Sequence, residues 1–116
     1  MATPKVIHFE ILGKDGPALQ RFYGDLFGWK FNTDNPGGYG LSSSGDTGIV
    51  VGIGPTRDGS GGHVTGYVSV PDIDQALAKA TKLGGKVVLP KMSPGPGATI
   101  ALVADPEGHV VGITQA

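Results

Sequence analysis

Two short stretches of nearly identical sequence decide the predicted fold. Residues Gly48 to Ile53 read GIVVGI and residues Gly108 to Ile113 read GHVVGI, so that five of the six positions match. Short apolar runs that are bounded by glycine and rich in β-branched residues favour buried strands. The match therefore indicates that the same strand occurs twice, once near the end of each of two similar halves of the chain.

Two predicted helices precede these strands, and they begin and end in the same way. Asp15 predicts the start of the first helix, and Gly28 predicts its end. Asp72 predicts the start of the second helix, which is expected to end at Gly84. The two caps are 57 positions apart, whereas the twin strands are 60 positions apart, because the intervening loops differ in length.

Each half of the chain therefore reads as a strand, a helix and three further strands. We predict an α+β fold with two tandem βαβββ modules, about residues 3–56 and about residues 62–116. The modules are expected to form one curved, eight-stranded mixed sheet with the helices on its outer face. A chain of 116 residues is too short for two independent cores, so residues 1–116 are predicted to form a single domain.

Composition excludes several classes of function. A formal net charge of -1 gives no positive excess to attract nucleic acid or anionic lipid. No apolar run approaches the ~20 residues of a membrane helix, so we expect no membrane partner and a cytoplasmic location. The absence of cysteine excludes disulfides and thiolate ligands.

Three longer motifs carry a resemblance to a known family. These motifs are FYGDLFGW (Phe22–Trp29), VPDIDQALAKATKLGGKV (Val70–Val87) and DPEGHVVGI (Asp105–Ile113). Together with the repeated module, they resemble the vicinal oxygen chelate superfamily, which includes glyoxalases, extradiol dioxygenases, fosfomycin-resistance enzymes and bleomycin-binding proteins. The resemblance implies a small organic molecule as ligand and a homodimer as assembly. It says little about the reaction, because one scaffold hosts many activities.

The resemblance also implies four metal-ligand positions, a His on the first strand and a Glu on the last strand with an equivalent pair in the other module. In this chain these positions hold His8, Thr65, Gly52 and Gly112. Only His8 coordinates metal well, so we predict no metal and no cofactor. A metal-dependent lyase or dioxygenase would need a non-standard ligand set, for which the candidates are Glu10, His63, Asp105, Glu107 and His109.

Strand alternation suggests a different use for the same positions. In a strand, His8 and Glu10 point to one side, and the 57-residue offset matches them with Thr65 and Tyr67. Glycine in a strand leaves room for another group to approach the backbone. The predicted ligand-binding residues are therefore His8, Glu10, Gly52, Thr65, Tyr67 and Gly112.

Three interpretations of these residues stay open. The leading one is a metal-free protein that binds a small organic molecule on the predicted sheet. In the second, the protein is a metal-free enzyme, and His8 or Glu10 is its general base. In the third, His8 and Glu10 only pair with each other or with Tyr67, as satisfied polar residues. Trp29, Phe31 and Tyr39 either stack on a planar ligand or belong to the core.

Overall fold

The computed structural model describes residues 3–59 and 61–116, so residues 1, 2 and 60 of the predicted domain lie outside the described residues. The described strands are β1 (Lys5–Gly13), β2 (Gly40–Leu41), β3 (Val50–Pro55), β4 (His63–Val70), β5 (Lys86–Met92), β6 (Ile100–Ala104) and β7 (Val110–Gln115). The described helices are α1 (Gly16–Phe27), α2 (Ser44–Thr47), α3 (Ile73–Lys82) and a 3-10 turn at Pro36–Gly38. None of these helices is both long and apolar enough to span a bilayer.

Hydrogen bonding orders the strands as β2-β3-β1-β4-β7-β6-β5 in a seven-stranded mixed sheet. The predicted α+β class with one mixed sheet is therefore confirmed, although the expected eighth strand is not present among the described residues. The chain divides into two compact units. The N-terminal unit is His8–Thr65, and the C-terminal unit is Gly66–Ala116 with the chain up to Ile7.

Helix α1 of the N-terminal unit begins and ends where the sequence predicts. The side chain of Asp15 accepts a hydrogen bond of 3.0 Å from the backbone N–H of Ala18, which satisfies a donor at the helix start. Gly28 ends the helix in a left-handed conformation, with φ 74°. Phe22 and Leu26, two large apolar side chains of the helix, are 59% and 58% exposed.

The core of the N-terminal unit lies between α1 and the strands. Its buried residues are Ile11, Val51 and Ile53, and the side chains packed against them are Phe9, Leu19, Tyr23, Trp29 and Phe31. Trp29 and Phe31 thus belong to the core, which was one of their two predicted roles. Strands β1 and β3 are parallel, and their register pairs His8 with Val50 and Glu10 with Gly52.

The missing strand after α1 is reduced to an isolated bridge between Asn32 and Leu41. The side chain of Asn32 accepts a hydrogen bond from the backbone N–H of Asp34, and the side chain of Asn35 donates to the Asn32 carbonyl. Asn and Asp side chains compete for backbone groups in this way and favour turns over strands. The chain therefore turns where the module pattern predicts a strand.

In the C-terminal unit, α3 is followed by three strands, as predicted. Asp72 accepts a hydrogen bond of 3.1 Å from the backbone N–H of Gln75 and caps α3. Strands β4 and β7 are parallel, and their register pairs Tyr67 with Gly112. Glu10 and Gly52 stand 57 and 60 positions before these two residues, so the same register occurs in both units.

Candidate functional site

A buried carboxylate, Glu10, lies at the centre of a polar cluster in the N-terminal unit. Glu10 is only 3% exposed. Its Oε2 accepts a hydrogen bond of 2.8 Å from the hydroxyl of Tyr39, and its Oε1 lies 2.8 Å from Nε2 of His63. An ionised carboxylate only accepts hydrogen bonds, so His63 donates from Nε2. A guanidinium nitrogen of Arg57 lies 4.0 Å from Oε2.

His8 extends this arrangement through Tyr39. Nε2 of His8 lies 2.8 Å from the Tyr39 hydroxyl oxygen. Because that hydroxyl gives its single proton to Glu10, it accepts from His8, and Nε2 of His8 therefore carries a proton. We call His8, Glu10, Tyr39, His63 and Arg57 the Glu10 cluster.

The charge state of His8 follows from its surroundings. Burial lowers the pKa of His8 below its ordinary value, and the negative charge of Glu10 opposes this effect without reversing it. A neutral imidazole is therefore favoured near neutral pH. A neutral ring with a proton on Nε2 is a hydrogen-bond donor towards Tyr39.

The backbone positions each of these side chains. Alternation along β1 turns His8 and Glu10 to the same side, as predicted. Tyr39 directly follows the 3-10 turn at Pro36–Gly38, and its ring lies against Gly52 of β3. A Cβ atom on Gly52 would lie 1.9 Å from the Tyr39 hydroxyl oxygen and 2.6 Å from Nε2 of His8. Only glycine at position 52 is compatible with this arrangement.

The four positions that the family resemblance implies for a metal do not fit one. His8 donates from Nε2 to Tyr39, Gly52 has no side chain, and the Tyr39 hydroxyl fills the space that a side chain at position 52 would need. Thr65 and Gly112 add no strong ligand. Across residues 3–59 and 61–116, no group of three or more His, Cys, Asp or Glu side chains is arranged to hold a metal ion.

The remaining predicted ligand-binding residues occupy buried strand positions. Thr65 is buried in β4, at 5% exposure. In the C-terminal unit, Tyr67 is 3% exposed and packs with Ile100 and Leu102. A Cβ atom on Gly112 would lie 2.5 Å from ring carbons of Tyr67, so a tyrosine also covers this glycine. The role of Thr65, Tyr67 and Gly112 in binding stays a prediction.

The candidate metal-ligating residues near the C-terminus, Asp105, Glu107 and His109, lie in a turn. Nδ1 of His109 lies 3.0 Å from Oδ2 of Asp105, and backbone N–H groups of Glu107 and His109 donate to Oδ1. The hydrogen bond from the His109 backbone is the main cause that lowers the pKa of Asp105. All three residues are exposed, and their contacts are those of a turn.

Sequence reasoning grouped His63 with Glu10 only as a candidate metal ligand and did not consider Arg57. His63 is the first residue of β4. Tyr39 was named as an aromatic side chain, but no pattern assigned it to His8 and Glu10. The available signal was Gly52, because a glycine inside a predicted strand indicates that another group approaches closely.

Comparison with known proteins agrees with this architecture. The family model described as a glyoxalase-like domain matches residues 9–114. The chain is 33% identical over 110 residues to CFP32, a protein named as a glyoxylase, from Mycobacterium bovis and from Mycobacterium tuberculosis. This match includes 88% of the chain but only 42% of CFP32. The chain thus spans about two fifths of the length of the curated relatives it matches.

Solved structures share the fold at lower identity. A glyoxalase/bleomycin resistance protein/dioxygenase superfamily member from Vibrio splendidus has a TM-score of 0.65 and 20% identity, with 98% of this chain and 100% of that chain covered. A variant of Streptomyces coelicolor methylmalonyl-CoA epimerase, in complex with 2-nitronate-propionyl-CoA, has a TM-score of 0.63 and 18% identity, with 99% of each chain covered. The Mycobacterium tuberculosis methylmalonyl-CoA epimerase has a TM-score of 0.69 and 15% identity, with 99% and 91% covered.

Proposed function

The chain belongs to the glyoxalase-like domain family, and we propose that its Glu10 cluster binds a small organic molecule and exchanges a proton with it. One observation carries the proposal. The carboxylate of Glu10 is 3% exposed and has a donor on each oxygen, the Tyr39 hydroxyl and Nε2 of His63. Such an arrangement keeps a proton acceptor at a defined position away from water.

A purely structural role explains Glu10 less well. Removing a carboxylate from water costs several kcal/mol, and apolar residues of similar volume are often at least as stabilising. The next two residues of β1, Ile11 and Leu12, are buried and apolar. A third apolar side chain at position 10 would satisfy the fold, so the choice of a charged group there favours a chemical use.

The chemistry assigns a role to each member of the cluster. Glu10 is the general base that takes a proton from the bound molecule. In the unliganded site Tyr39 holds Oε2 of Glu10 in place by a hydrogen bond, and the N–H of His8 donates to Tyr39 in turn. Arg57, whose side chain is 37% exposed, adds a positive charge near the carboxylate and favours a ligand with an anionic group. The epimerase structures with CoA esters support the choice of a small organic ligand.

We also propose that the protein works without a bound metal, as a homodimer and in the cytoplasm. The unsuitable residues at the four metal positions support the first point. Three large apolar side chains on α1 support the second, because Phe22, Leu26 and Phe27 are 59%, 58% and 55% exposed. Exposed apolar groups of this size favour association with a second surface.

A ligand screen followed by mapping tests the proposed function. Compounds that raise the melting temperature of the protein are titrated into ¹⁵N-labelled protein, since a ligand that binds the native state stabilises it. We expect the largest amide shifts at His8, Glu10, Tyr39 and Gly52. Stabilising compounds whose shifts are confined to the C-terminal unit would contradict the proposal.

A further inference from the structure

The ring of Tyr39 lies across two glycines of β3. A Cβ atom on Gly52 would lie 1.9 Å from the Tyr39 hydroxyl oxygen, and a Cβ atom on Gly54 would lie 2.7 Å from Cδ1 of the ring. Neither glycine is among the residues with positive φ, so space and not backbone conformation explains both. We call the space above Gly52 and Gly54 that the ring fills the Tyr39 slot.

The polar end of the Tyr39 slot is built for a hydroxyl group. Nε2 of His8 donates to the Tyr39 oxygen, and the Tyr39 hydroxyl donates to Oε2 of Glu10. Both hydrogen bonds are 2.8 Å long. The His8 ring lies nearly parallel to the Tyr39 ring, with 11° between their planes. One donor, one acceptor and a flat glycine floor together match a hydroxyl on a planar carbon framework.

Tyr39 is held at this position by a short segment. The preceding Pro36–Gly38 turn is exposed, and Gly37 and Gly38 have φ values of 69° and 73°. Strand β2, which follows, has only two residues. Gln20 and Asn35 donate side-chain hydrogen bonds to the carbonyls of Gly38 and Tyr39, and a movement confined to the Tyr39 ring would leave these bonds intact. An outside molecule reaches Oε2 of Glu10 along the slot only when the Tyr39 ring moves out of it.

We propose that Tyr39 acts as a displaceable internal ligand, and that the Tyr39 slot binds a planar molecule with a hydroxyl on an sp² carbon, such as a phenol or an enol. The bound hydroxyl takes over both hydrogen bonds of Tyr39, donating to Glu10 and accepting from His8. This inference rests on the proposed function and names the class of ligand for the same site. No bond is made or broken in the exchange.

Two variants of Tyr39 test the inference with phenol as the probe. Tyr39→Ala opens the slot, whereas Tyr39→Phe keeps it filled by a ring. Phenol should raise the melting temperature of Tyr39→Ala and bind it roughly 10-fold more tightly than anisole, which has no proton to donate to Glu10. Tyr39→Phe, in which a ring must still leave the slot, should bind phenol more weakly than Tyr39→Ala. Equal affinity for phenol and anisole, or an equal response of Tyr39→Phe, would overturn the inference.

A measurement on the unaltered protein keeps the test valid if Tyr39→Ala does not fold. Phenol titrated into ¹⁵N-labelled protein should shift the amides of Tyr39, Gly52 and Gly54 together, and saturation without these shifts would overturn the inference. Failure of this inference can be distinguished from failure of the proposed function. If phenol shows no preference for the opened slot but Glu10→Gln still weakens binding of a screened compound, only the assignment of the ligand class is wrong.

Discussion

The hydroxyl oxygen of Tyr39 lies where a residue other than glycine at position 52 would place its side chain. A Cβ atom on Gly52 would come within 1.9 Å of that oxygen. In the other unit, the ring of Tyr67 lies 2.5 Å from the Cβ position of Gly112. In each unit, the last strand therefore has a glycine at the position where a tyrosine of the same unit packs against its backbone.

Gly52→Ala should destabilise the protein by about 1–3 kcal/mol, because the added methyl group forces Tyr39 out of its packed position. Gly45→Ala is the control, since a Cβ there would make only an ordinary contact of 3.6 Å, with Oγ of Ser43. Denaturant melts measure both effects. In a Tyr39→Ala background the cost of Gly52→Ala should become smaller, and the remainder should come from His8, whose Nε2 would lie 2.6 Å from the added Cβ. An undiminished cost in that background would mean that Tyr39 does not cause it.

Stability should fall as the pH falls below 6.5, the ordinary pKa of histidine. The buried His8 has a lowered pKa, so between 6.5 and that lower pKa the unfolded chain binds more protons than the folded chain. Below the folded pKa the loss levels off. Urea melts at about pH 7.5 and about pH 5 measure the loss, which should be smaller in His8→Gln. An identical loss in both proteins would contradict the assignment to His8.

Purified protein should retain no stoichiometric divalent metal after dialysis. Of the four inherited positions only His8 is a good ligand, and its Nε2 is engaged by Tyr39. Elemental analysis before and after dialysis gives the result directly. One tightly held ion per chain would instead support the alternative of a metal-dependent enzyme with a non-standard ligand set.

The protein should be a dimer at micromolar concentration. Phe22, Leu26 and Phe27 on α1 are each more than half exposed, and a second copy of the chain would cover them. Light scattering should give twice the mass of the chain, and Leu26→Ser should shift the equilibrium towards monomer. Lys30→Ser is the control on an exposed polar position. A monomeric mass for the unaltered protein would contradict the prediction.

Local signals were sufficient to predict the two long helices and the twin strands. Asp15, Gly28 and Asp72 act within one or two turns of chain, so their effect can be read from neighbouring residues. The prediction of a strand directly after α1 was wrong, because Asn32 and Asn35 form side-chain hydrogen bonds with the backbone and create a turn. The module pattern alone does not contain that competition.

The candidate site was predicted only in part. Alternation placed His8 and Glu10 on one side of β1, but their partners Tyr39 and His63 lie 29 and 53 positions from Glu10. Contacts over such distances depend on how the loops fold, and single-sequence periodicity does not report them. Gly52 indicated that something approaches the strand. That the approaching group is Tyr39 required the structure.

The measurement that tests the central claim most directly is a parallel ligand titration of Glu10→Gln and His8→Gln, beside denaturant melts of the same proteins. Gln at position 10 keeps the shape and can exchange hydrogen bonds with Tyr39, so we expect little change in the free energy of unfolding. Affinity or turnover for a screened ligand should fall by about 1–3 kcal/mol in both variants. Unchanged affinity together with clearly reduced stability in both would show that the Glu10 cluster is structural.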